Sequence, residues 1–316
     1  MILSLFTLVG GESHNAQQST RFASGRSAAT LSQSQIIVNV ERPEQFRYLG
    51  QRDFQKWALT AASSIKAFYK DYPLERTVIT VHAGAGDTVL YGESTYNDEL
   101  GQGEIEVQVG RETSFESLIT SWTLTHEMVH LTFPIVHEDD RWLAEGIATY
   151  VEPIARKRTG LISEEQVWQE LAEGLPQGFS EASPPYLRIG NFRGTRHRGE
   201  MYWGGALFCL LADLKIRETT SNSMGLEDAL VSIVREGGTS ASDWSARKAL
   251  SVADAKLGKP LLLPLFEQFQ DEEVEVDLQE LYNKLGLVYD QGEFKLQDQA
   301  PLLPMRLAIT GNADGK

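Results

Sequence analysis

Hydrophobic positions change their period twice along the chain. Gln35-Ile36-Ile37-Val38-Asn39-Val40 and Thr77-Val78-Ile79-Thr80-Val81-His82 are short β-branched runs that predict strands. Between them, Phe54 to Tyr69 places Trp57, Leu59, Ala61, Ala62, Ile65 and Phe68 on one helical face, a stripe that needs a core to cover it. The stretch after the second strand, through Gly84, Gly86, Gly92, Gly101 and Gly103, reads as a long Gly-rich loop. Glu104-Ile105-Glu106-Val107-Gln108-Val109 alternates polar and apolar, which predicts a half-exposed edge strand. After Gly110 the period turns helical, over about 113–131, 141–157, 163–174, 199–219, 225–236, 244–256 and 277–285. Strands first and helices later predict an α+β fold.

On this pattern residues 35–290 form one domain, strand-rich over 35–112 and helical over 113–290. Residues 291–316 read as a C-terminal tail, and 1–34, rich in Ser, Gln and Ala, as a leader and linker. Met1 to Gly10 is an apolar run of signal-peptide length with no Lys or Arg before it; a first strand is the other reading, and the balance leans to export. The run is too short for a stable membrane span, and no other segment reaches the roughly 20 apolar residues a helical span requires. Leu261-Leu262-Leu263, Phe266 and Phe269 offer packing, and Asp271 to Asp277 reads as a solvated acidic turn.

Composition narrows the function. A chain of 316 residues, 41% hydrophobic and 23% charged, is an ordinary globular protein. Its net charge of −15 argues against a nucleic-acid partner, which needs clustered Lys and Arg to displace phosphate counterions. Cys209, the single cysteine, excludes an internal disulfide and a Cys-rich metal site, and its apolar neighbours place it in the core.

The chemistry concentrates between Thr113 and Glu152. Thr113-Ser114-Phe115-Glu116 has the form of a capping box opening a helix, and that helix carries His126-Glu127-Met128-Val129-His130. A spacing of four residues puts both imidazoles on one face, a turn apart, where they can share an ion. Glu127 lies beside them, where a carboxylate can take a proton from water. A catalytic zinc needs a third protein ligand. Glu145, on a second helix capped by Asp139 or Asp140 after a turn near Phe133-Pro134, completes a His2Glu set, and Gly146 next to it allows close helix approach. The set implies one zinc ion (Zn2+) per chain.

His126 to His130, with Trp142-Leu143-x-Glu145-Gly146-x-Ala148-x-Tyr150-Val151-Glu152, resembles the gluzincin metallopeptidases, in particular the alanyl and glycyl aminopeptidase families. Tyr202-Trp203-Gly204-Gly205-Ala206-Leu207 is similar to their YxKGA segment, with Gly204 in place of Lys, and the likeness covers roughly residues 104–235. Both families have more than the 14 residues found here between the second His and the Glu, and no GxMEN-like segment precedes His126. The resemblance implies a thermolysin-like catalytic domain over 35–290, a peptide or protein substrate, and a tyrosine, Tyr202, that stabilises the oxyanion.

The expected mechanism is hydrolysis of a peptide bond by a water that zinc activates, with Glu127 as general base and Tyr202 as oxyanion donor. The 104–109 strand would hold an extended peptide by strand addition, and Glu104 or Glu106 would meet its amine. Thr149 is a candidate partner for a ligand histidine, Asp213 a cap or a partner of Arg217, and His197, within the basic cluster Arg193-Gly194-Thr195-Arg196-His197-Arg198, part of a candidate pocket for acidic side chains or a C-terminal carboxylate. His137 reads as solvent-facing. Zinc-dependent amidase activity on a non-protein amide, or an inactive gluzincin fold kept for binding, are the alternative functions.

Overall fold

The computed structural model describes residues 25–31, 33–179, 187–291 and 293–311; the apolar run Met1 to Gly10 lies outside them. Five strands form one sheet, β1 (Gly25–Leu31), β2 (Ser34–Val40), β3 (Arg76–Gly84), β4 (Val89–Asn97) and β5 (Gln102–Gly110). Their order is β1-β2-β3-β5-β4, with β2, β3 and β5 parallel and the two outer strands antiparallel to their neighbours. Ile36, Val38, Val40, Ile79, Val81, Ile105 and Val107 alternate onto one buried face, as a two-residue period requires. Helix α1 (Gln51–Tyr69) covers that face with Phe54, Trp57, Ala61, Ile65 and Phe68. Each large side chain so buried contributes about 1.5–3 kcal/mol by leaving water.

The mixed α+β character expected from the sequence is what the structure has, with three local corrections. The 104–109 strand is not an edge. It is β5, paired on both sides, and its alternation arises because one sheet face is buried while Glu106 and Gln108 on the other are exposed. The true edge is β4, inside the stretch read as a Gly-rich loop, with a bulge between Val89 and Tyr91. Secondly, the helix expected over 113–131 is two, α2 (Phe115–Ile119) and α3 (Thr123–His130). Thr120 Oγ1 donates to the Glu116 carbonyl, 2.8 Å away, and the helix ends there. Its cap is Ser114, which accepts from Ser117 N, while Thr113 is buried and donates to the Thr88 carbonyl. Thirdly, the 199–219 helix begins as a π-helical turn, Glu200–Gly204.

Helix α4 (Arg141–Arg158), α5 (Glu164–Gly174), α6 (Gly205–Thr219), α7 (Leu226–Arg235), α8 (Ala246–Leu257) and α9 (Leu262–Asp271) complete the helical part. Glycines let α4 and α6 meet. A Cβ on Gly146 would fall 2.3 Å from the Gly205 carbonyl carbon, and one on Gly205 would fall 2.4 Å from the Trp142 carbonyl oxygen. Asp213 ties three helices together: it accepts from the Tyr150 hydroxyl at 2.9 Å, caps α7 at Leu226 N and pairs with Arg217 at 2.8 Å. Further ordered elements lie where the sequence suggested none. Leader residues 25–31 are strand β1, Glu273–Val276 of the acidic run is a strand, and Leu303–Thr310 of the tail is a helix whose Arg306 is buried. No described helix is long and apolar enough to cross a membrane.

Candidate metal centre

Helix α3 is short, and it delivers two imidazoles to one side. Leu131 and Thr132 close it, and Thr132 donates through both its N–H and its hydroxyl to the Val129 carbonyl. Ile135 then pairs with Ser242 and Trp244, which fixes the path of the connection before α4 starts at Arg141. One turn into α4, Glu145 faces His126 and His130. Its Oε2 lies 3.5 Å from His126 Nε2 and 3.3 Å from His130 Nε2. All three ligand atoms lie within 4.8 Å of one another. Bonds of about 2.0–2.2 Å at tetrahedral angles put ligand atoms about 3.4 Å apart, so the two His–Glu separations fit a cluster that could hold a metal ion.

Hydrogen bonding makes the same point. Glu145 Oε2 is buried and has no hydrogen-bond donor among the described residues, whereas Oε1 accepts from Arg141 Nε at 3.2 Å. A buried, unpaired carboxylate oxygen is costly unless something cationic meets it. One oxygen is therefore tied off by Arg141 and the other aimed at the imidazole nitrogens. Burial alone would raise the Glu145 pKa, but the two imidazoles outweigh it and hold the carboxyl well below the ordinary range. Burial lowers the pKa of His126 against the pull of Glu145, which favours the neutral imidazole that ligates metals. At His130 burial is outweighed by the negative Glu145 carboxylate 3.3 Å away, so its pKa rises.

Glu127 is buried beside the two histidines, between α3 and the edge strand. Ser94 Oγ donates to its Oε2 at 2.9 Å. Gly92 leaves room for it: a Cβ there would lie 2.8 Å from both Glu127 Cγ and Thr123 Cγ2. Tyr202, half-buried on the π-helical turn, stacks against His126 with ring centres 5.8 Å apart and planes 7° from parallel. Burial and the negative charge of Glu145 raise its pKa, so its hydroxyl remains a donor at neutral pH. A cleft of about 730 Å³ opens over these groups, with β4 along one wall. Leu90, Tyr91, Trp122 and Ile135 line it although their side chains are exposed, the kind of apolar surface that marks a ligand site.

His126, Glu127, His130, Glu145 and Tyr202, singled out in the sequence, thus line one cleft. Others fall elsewhere. Thr149 Oγ1 donates to the Glu145 carbonyl on its own helix and meets no histidine. Glu104 accepts from Asn97 and Gln102, Glu106 stands 3.7 Å from His82, and both lie on the sheet face turned away from α3. His137 is exposed. Ser94, Gly92 and Arg141 were not foreseen. The signal for the first two was their spacing of two within Val89-Leu90-Tyr91-Gly92-Glu93-Ser94-Thr95-Tyr96, a run of strand formers interrupted by one glycine.

No protein-family model and no curated protein sequence matches the chain. Its fold is similar to that of an aminopeptidase N family protein from Idiomarina loihiensis, with a TM-score of 0.56 at 13% identity, over 88% of this chain and 53% of that one. An M1 zinc metallopeptidase from Deinococcus radiodurans, solved with a Tyr-Ser-Ala substrate, aligns with a TM-score of 0.48 at 16% identity, over 78% of this chain and 52% of that one. The chain spans about half the length of the solved structures it matches.

Proposed function

We propose that the chain is a zinc-dependent peptidase, with His126, His130 and Glu145 as the ligands of one ion. The observation that carries this reading is the donorless, buried Oε2 of Glu145 held 3.3 and 3.5 Å from two imidazole nitrogens, with Glu127 alongside. When bound there, zinc supplies a Lewis-acidic charge that polarises a carbonyl and brings the pKa of water towards about 7.

The chain's own residues supply the rest. Glu127, steadied by Ser94, takes the proton of the attacking water and later hands it to the leaving amine. Tyr202 donates a hydrogen bond to the carbonyl oxygen as it gains charge, an interaction stronger in the transition state than in the ground state. The outer edge of β4 is unpaired among the described strands and runs along the cleft, so an extended peptide can add to it as a sixth strand. Leu90, Tyr91 and Trp122 receive apolar side chains of that peptide.

The test is Glu127→Gln in zinc-loaded protein. The account expects unchanged zinc content and at least a 10²-fold loss of peptide hydrolysis, the contribution of a positioned general base. Hydrolysis at the wild-type rate would overturn it.

A further inference from the structure

The cleft holds one positive side chain that the chemistry above leaves unused. Segment 193–198 and the start of α4 bring four arginines to this side of the molecule, and three are neutralised. Arg141 is engaged by Glu145, Arg193 makes two hydrogen bonds of 2.8 Å to Asp271, and Arg196 pairs with Glu138 at 3.3 Å. Arg198 has no carboxylate partner among the described residues. It is exposed, lines the cleft, and its guanidinium carbon stands 5.6 Å from the centre of the Tyr202 ring. Its contacts are with Tyr202, so in a chain with 44 acidic and 29 basic side chains this cation meets no carboxylate among the described residues.

We propose that Arg198 is the receptor for a carboxylate of the substrate, so that the preferred peptides carry a carboxylate within one or two residues of the bond that is cut. The inference rests on the peptidase reading. Three observations carry it. Arg198 stands over the tyrosine whose hydroxyl meets the attacked carbonyl, so a group bound by its guanidinium lies beside the scissile bond; a residue of extended chain spans only about 3.3–3.6 Å. Guanidinium presents a planar fork that matches a carboxylate in a bidentate pair. Among the described acidic side chains around the cleft, Glu138 and Glu145 are already paired with Arg196 and Arg141, whereas Glu93 and Glu127 meet no arginine or lysine and repel an acidic substrate unless a cation offsets them. The shared chemistry has two sources, an Asp or Glu side chain or the free C-terminal carboxylate.

Binding tests this apart from turnover. Four peptide hydroxamates of one backbone, with Glu or Gln beside the hydroxamate and a free or amidated C-terminus, would be titrated calorimetrically into zinc-loaded Glu127→Gln protein and its Arg198→Gln and Arg198→Lys derivatives. The expected result is about tenfold tighter binding of a carboxylate-bearing ligand over its neutral twin. The Glu/Gln and acid/amide arms show which source supplies it. The advantage should vanish in Arg198→Gln, survive in part in Arg198→Lys, and shrink with added salt. Equal affinity for all four ligands, or an advantage that persists in Arg198→Gln, would overturn the proposal. So would a loss in Arg198→Gln that is the same for every ligand, which would mean that Arg198 acts only by supporting Tyr202. Zinc-dependent hydrolysis of a neutral peptide by the unaltered protein separates failure of this inference from failure of the peptidase reading.

Discussion

Gly92→Ala acts directly on the placement of Glu127 against the edge strand. The glycine is not in the left-handed region, so alanine brings no backbone strain there. What it brings is contact: the new Cβ would stand 2.8 Å from Glu127 Cγ, 2.8 Å from Thr123 Cγ2 and 3.0 Å from Glu127 Oε1. Carbon atoms pack at about 3.5–4.0 Å, so Glu127 or the edge strand must give way by about 1 Å. A misplacement of that size costs about 10²-fold in rate, or about 2.7 kcal/mol of transition-state stabilisation. Glu127 is no ligand in this account, so zinc content should not change. Steady-state kinetics on a peptide substrate, with zinc per chain as the control, should show kcat reduced about 10²-fold. Wild-type kcat in Gly92→Ala would refute the claim that the edge strand sets the position of the general base.

Other predictions follow from the same geometry. Arg141 holds one oxygen of Glu145 and leaves the other for the ion, so Arg141→Met should weaken zinc binding about tenfold in competition with a chelator, and an unchanged Kd would contradict that role. Tyr202→Phe removes the proposed oxyanion donor and should lower kcat by about 10²-fold. Burial and the charge of Glu145 hold the Tyr202 pKa above its ordinary value, so the hydroxyl keeps its proton through neutral and mildly basic pH. Wild-type kcat should therefore show no loss from this group between pH 7 and 9; a basic limb in that range that disappears in Tyr202→Phe would be the contrary result.

The centre of the site was legible because it depends on local spacing. His126 and His130 at four residues share a helix face wherever that helix sits, and Glu145 with Gly146 marks a helix that approaches closely; Gly146 does meet Gly205. The wall of the cleft was not legible. β4 is an edge strand with a bulge and a glycine, so its alternation is weak, and the same glycine that hides it from sequence patterning is the one that makes room for Glu127. The alternation of β5, with Glu104 and Glu106 on its outer face, suggests an edge, but a strand open on one face and a strand open along one side have the same alternation. The break between α2 and α3 turned on Thr120 satisfying the Glu116 carbonyl, a competition between side chain and backbone that periodicity does not register. That Arg198 meets no carboxylate among the described residues follows from Asp271 and Glu138 pairing with Arg193 and Arg196, which is a property of the assembled fold.

The central claim is that His126, His130 and Glu145 hold a metal ion in common. Elemental mass spectrometry of protein purified without chelator or added metal tests it most directly, with the His130→Ala variant beside it. About one zinc per chain is expected, falling well below that in the variant. A zinc content near zero that added zinc does not raise, or one unaffected by His130→Ala, would contradict it.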